Sequence, residues 1–144
     1  MLKDENIALA NYRLEKAKGC LKASKILLDD DCYSDSANRS YYAIFHSINA
    51  LNALDEVGFK KHAGVMANFN RNYVKTGIIE KEYGKIANAA FEVRKDNDYA
   101  DFYVISINEV VEQHDNAVKF VDRIEKYIKE QTNKASEYSE AFSV

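Results

Sequence analysis

Apolar residues recur at helical spacing over almost the whole chain. In residues 5–29, Ile7, Ala10, Leu14, Ala17, Leu21 and Leu28 form one stripe with Lys and Glu between them, which predicts an amphipathic helix. The aspartates of "DDDCYS" oppose the macrodipole at a helix C-terminus, so this helix is expected to stop near Leu28. Ser34 or Asp35 is suited to cap a second helix running to about Leu54. A third is expected over 62–76, with Gly77 in a left-handed C-terminal position. A fourth runs from near Glu80 to about Lys95, where "RKDNDYADF" brings residues of poor helix propensity. The last runs from about Ser106 to Gln131 on Val110, Ala117, Val121, Ile124 and Ile128. Residues 132–144 lose the periodicity and are expected to form a flexible tail. "DFYVISI" is the one strand-like run, and it is short. The expectation is an all-α fold: an up-and-down bundle of four main antiparallel helices plus a short fifth, in a single domain over 1–131.

Composition sharpens this picture. A chain of 144 residues buries a sufficient core without disulfides or metal. It contains no proline and five glycines, so few positions interrupt helices. A net charge of -3 and a pI near 5.6 exclude a broadly basic nucleic-acid surface, and leave room for a local basic patch. Cys20 and Cys32 stand apart from any Cys-x-x-Cys or Cys/His ligand set and read as thiols in a reducing compartment. The start, "MLKDENIALA", carries charges where a signal peptide needs an apolar run, and no segment approaches transmembrane length. The expected location is the cytoplasm, with no membrane association.

One stretch does not read as ordinary core. In "NRSYYAIFHSINAL", residues 38–51, Tyr41, Ile44, Ile48 and Leu51 continue the apolar stripe begun by Ala37. Arg39, Tyr42 and His46 fall together on a neighbouring face, because seven residues are about two helical turns. An isolated bundle has no need of that polar edge.

This stretch, with "FKKHAGVMANFNRNYVKTG" and "AFEVRKDNDYAD", resembles the HEPN domain. It is similar to the small prokaryotic members that carry Asn-Arg-x-Tyr-Tyr-Ala-x-Phe-His, Lys-His-x-Gly and Arg-x-x-x-Asp-Tyr, and the likeness spans roughly residues 8–130. The resemblance implies a helical bundle that often dimerises. It also implies either a partner of a minimal nucleotidyltransferase in a toxin–antitoxin pair or a metal-independent ribonuclease. The family's ribonucleases use an Arg, four to six residues, then a His near the start of a late helix. Histidine titrates near neutrality and moves the 2'-hydroxyl proton, while arginine grips the phosphate through two parallel hydrogen bonds. Here Arg94 stands at that place, but Tyr99, Ala100 and Asp101 occupy the positions of the histidine. Arg39 and His46 fit the formula by count, on the early helix instead.

Two functions follow. One is a binding module that takes a nucleotide or RNA and partners a minimal nucleotidyltransferase without chemistry of its own. The other is an endoribonuclease with Arg39 and His46 as its catalytic pair. In both, Arg39, Tyr42, His62, Arg94, Asp98 and Tyr99 are the expected phosphate or nucleotide contacts, around a polar cleft beside "VRKDNDY". Each residue also has a structural reading. Arg39 suits an ion pair with Asp98 or Asp101, Tyr42 and His46 suit packing with satisfied polar ends, and Arg94 suits an i,i+4 pair with Asp98. His62 suits helix capping, or anion binding with Lys60 and Lys61 at a helix N-terminus. His114 is expected in solvent. The three histidines lie on separate helices without ligand spacing, so neither metal nor cofactor is expected. A homodimer is expected because the aromatic faces around Tyr41, Phe45, Phe69 and Tyr73 exceed the needs of one small core.

Overall fold

A computed structural model describes residues 2–58, 61–99 and 104–141, without the side chains of 99 and 138–141. Among the described residues five helices make up the fold: α1 (Asp4–Asp29), α2 (Tyr33–Leu54), α3 (His62–Phe69), α4 (Lys81–Tyr99) and α5 (Ile107–Ala141). A π-helical turn, Asn70–Val74, continues α3. No strand occurs among the described residues. No helix there is long and apolar enough to cross a membrane.

Cross-helix bonds give the topology. Arg13 Nη1 donates to the Asn49 carbonyl at 2.8 Å and Ser24 meets Ser36, so α1 and α2 run antiparallel. Asn97 donates to the Ser34 carbonyl at 3.0 Å while Tyr41 packs on Phe91, which sets α4 antiparallel to α2. Ion pairs Lys119–Glu82 at 2.8 Å and Arg123–Glu80 at 2.9 Å set α5 antiparallel to α4. α1 is likewise antiparallel to α5, through Lys18–Glu125 and Ser24–His114. The result is an up-down-up-down bundle in which α2 and α5 meet across the centre.

The core follows the predicted stripes. Tyr41, Ile44, Ile48 and Leu51 of α2 are fully buried against Phe69, Ile79, Phe120 and Ile124. Ala17 and Ala43 meet with Val121, and these small residues let α1 approach α2 closely. Of the aromatic residues expected to face a second copy, Tyr41, Phe69 and Tyr73 are consumed by the chain's own core, and Phe45 is half-buried at its margin.

Several boundaries differ from the sequence reading. The N-cap of α2 is Cys32, without a side-chain cap, and Ser34 and Asp35 already lie inside the first turn. α4 does not end at Lys95 but continues through "RKDNDY" to Tyr99. The Arg94–Asp98 pair at 3.0 Å and the Asn97 bond to α2 hold that segment helical against its weak propensity. α5 passes the expected end at Gln131 and reaches Ala141. Its start is capped by the Ser106 hydroxyl, which accepts from the Glu109 N–H at 3.2 Å. The first three residues of the strand-like run, 101–103, lie outside the described residues, 104–106 carry no strand, and Ile107 opens α5.

Gly77 has φ +83°, as expected after the third helical segment. Gly77→Ala should cost about 1 kcal/mol or more, since a Cβ strains that conformation. Urea unfolding would read the loss as a lower midpoint with an unchanged slope.

Candidate functional site

The middle of α2 carries a ring cluster. Tyr41 and Tyr42 meet edge-on, with centroids 5.2 Å apart. His62, the first residue of α3, stacks on Phe45 at 4.1 Å and an interplanar angle of 13°. The Tyr41 hydroxyl lies 2.6 Å from His62 Nδ1. Burial pushes the Tyr41 hydroxyl well above the usual tyrosine range, with the nearby Arg94 charge opposing. Tyr41 therefore keeps its proton, and which of the two groups donates is set by the tautomer of His62. His62 is held below its ordinary value, first by burial and then by Arg94.

Around this cluster the expected residues separate into two groups. On the α4 side, Arg94 lies 5.7 Å from the Tyr41 ring centroid and pairs with Asp98. On the α1 side, Arg39 sits over the Tyr42 ring at 4.9 Å. His46 lies beside the Tyr42 and Phe45 rings, at 6.0 and 5.8 Å. The single cleft expected from the sequence is thus two adjoining clusters with the Tyr41–Tyr42 contact between them. Asp98 is engaged by Arg94 rather than by Arg39. The side chain of Tyr99, and all of Lys60 and Asp101, lie outside the described residues.

The α1 side holds residues the sequence reading did not single out. Arg13, Lys16 and Cys20 follow one face of α1 at intervals of three and four, and that face meets Arg39 and His46. Burial, then the charges of Lys16, Arg39, His62 and Arg13, push His46 down to about 4. Burial raises the Cys20 thiol, against the opposing pull of Arg39 and Lys16. Among the described residues no carboxylate pairs with Arg13, Lys16 or Arg39. Three cations without a partnering acid, in a chain of net charge -3, make a local anion-attracting face. The signal was the helical spacing of Arg13 and Lys16, which resembles any solvated face until α2 is laid against it.

His114 departs from expectation. It is half-buried rather than solvated, and its Nδ1 lies 3.1 Å from Ser24 Oγ. Ser24 also meets Ser40 Oγ at 2.6 Å, in a buried hydroxyl cluster joining α1, α2 and α5. Among the described residues no group of three or more His, Cys, Asp or Glu is arranged to hold a metal ion.

All three histidines lie below 6.5 in the folded state. The unfolded chain therefore takes up protons before the folded one does. Their contribution to stability is full above pH 6.5 and is lost as pH falls toward 4, the folded value of His46. The urea midpoint should drop between about pH 7.5 and pH 5, and less steeply in His46→Gln.

Comparison with known proteins gives a consistent family. The sequence profile of the HEPN domain matches residues 10–132. A UPF0332 protein of Thermotoga maritima is 38% identical over 127 residues, covering 88% of this chain and 96% of that protein. A protein named "Putative toxin MJ0605", from Methanocaldococcus jannaschii, is 37% identical over 122 residues, covering 81% and 87%. A second protein of that organism, named "Putative toxin MJ0142", is 34% identical over 86 residues, covering 60% and 58%.

Proposed function

The chain belongs to the HEPN domain family, and from that premise we propose that it binds RNA or nucleotide phosphate on the α1–α2 face, as the partner of a minimal nucleotidyltransferase in a toxin–antitoxin-type pair. The observation that carries this reading is the cation cluster Arg13, Lys16 and Arg39 around His46, free of carboxylate partners among the described residues. Phosphate is the anion such a face suits. The Arg39 guanidinium offers paired donors beside the half-buried Tyr42 ring. The names of two relatives support a toxin–antitoxin setting.

A second reading is a metal-independent endoribonuclease. What favours it is His46 held neutral by burial and then by the same cations. A bound phosphate would offset those charges and raise the affinity of His46 for a proton, as an acid–base group requires. His62, with Nδ1 engaged by Tyr41, is a second candidate.

The experiment is RNA incubation with the intact chain in chelator, beside His46→Ala and His62→Ala. Under the binding reading, RNA is shifted by all three proteins and cut by none. Cleavage by the parent that one histidine substitution abolishes would replace that reading with the second. Absence of RNA binding by the folded parent would overturn both.

A further inference from the structure

Between α4 and α5 lies a cleft of about 180 Å³ that shares no residue with the cationic face. Its floor is apolar, built from Ile44 of α2 with Ala90 and Val93 of α4. Its opposite wall is one face of α5, where Glu109, Glu112, Gln113 and Asn116 follow at intervals of three, one and three. Gln113 is only 9% exposed, and neither its Oε1 nor its Nε2 has a hydrogen-bond partner among the described residues. It occupies core register, in line with the buried Val110, Ala117 and Phe120. Buried carboxamides are nearly always paired, and an apolar residue at such a position would pack without the cost of desolvating an amide. A carboxamide here is explained by a ligand that pairs with it.

The geometry points to a binding site for an amino-bearing nucleobase, adenine being the best match. A primary amide presents one acceptor beside one donor, the complement of adenine's exocyclic amino group and its neighbouring ring nitrogen. The second amino hydrogen meets the acceptors of the same α5 face, Glu112 or Asn116. The aliphatic floor covers the ring. A cavity of about 150 Å³ takes up a single aromatic ring, so this open cleft takes one ring of the base inside and the other toward its mouth. Charge separates this cleft from the cationic face. Glu109 and Glu112 make no ion pair among the described residues, so the cleft carries uncompensated negative charge that opposes a phosphate attached to the base. The cleft should prefer a nucleoside to its nucleotide, the reverse of the preference expected on the α1–α2 face, so the two readings fail separately.

The test is adenosine titrated into the intact nitrogen-labelled chain and followed by NMR. Saturable shifts are expected around Ala90 and Gln113, weaker binding of AMP, and little response to uridine, which lacks the amino group. Gln113→Leu should weaken adenosine binding about tenfold or more while holding or raising the thermal midpoint. Ala89→Phe fills the mouth from an exposed position and leaves Gln113 in place. It should block adenosine even if Gln113→Leu does not fold. No saturable shift, equal responses to adenosine and uridine, or undiminished binding in Ala89→Phe would overturn the assignment and leave Gln113 served by water alone.

Discussion

Arg39→Ala is expected to weaken binding of a short single-stranded RNA about tenfold or more, with the fold retained. A charge-assisted contact to a partly desolvated phosphate contributes about 1.5–3 kcal/mol, and each 1.4 kcal/mol is about a factor of ten. The fold should survive because Arg39 closes no ion pair among the described residues. Arg39 meets the Cys20 thiol and sits over the Tyr42 ring at 4.9 Å, a cation–π arrangement that contributes only about 0.5–1 kcal/mol where exposed. Fluorescence anisotropy at fixed ionic strength measures the affinity, and circular dichroism checks the fold. An Arg39→Ala chain that unfolds, yet binds normally per folded molecule, would make the arginine a packing residue.

The largest loss of stability is expected from Phe120→Ala, about 3–5 kcal/mol. Phe120 is fully buried in α5 and touches Phe69 at 5.5 Å and Tyr83 at 6.1 Å. Its ring therefore ties α5 to both α3 and α4. Truncation loses the transfer energy of the ring and leaves a cavity that three helices cannot close together. Domains of this size are stable by only about 5–15 kcal/mol, so the variant should unfold at much lower urea or fail to accumulate. A midpoint close to that of the parent would mean that the α4–α5 interface repacks freely.

Much of this fold is legible in the residue pattern, since the α1, α2 and α5 stripes are long and uninterrupted. Tyr41, Ile44, Ile48 and Leu51 were readable as core because their spacing allows one face only. The continuation of α4 was not readable. "RKDNDY" has weak local propensity, and what keeps it helical includes an Asn97 bond to Ser34, sixty-three positions earlier. The position of His114 was hidden for a related reason. Its neighbours in sequence are polar, but its partner Ser24 belongs to another helix. At the candidate site, Arg39, Tyr42, His46 and His62 stood out by residue type and motif. Arg13 and Lys16 did not, because a cation on an amphipathic helix looks the same whether it faces solvent or a second cationic helix. Only the α1–α2 register, fixed by the Arg13 bond to Asn49, brings them beside His46. The division of Arg39 from Arg94 by the Tyr41–Tyr42 pair was likewise invisible, since it depends on which flank of α2 meets α1 and which meets α4.

The most direct measurement is the salt dependence of RNA affinity, for the parent and for a chain carrying Arg13→Ala, Lys16→Ala and Arg39→Ala together. Each cation that neutralises a phosphate of a single strand adds about 0.7 to the slope of log affinity against log salt. If the α1–α2 face holds the RNA, the triple variant should bind far more weakly, with a slope shallower by about 2. A folded triple variant with the affinity and slope of the parent would contradict it.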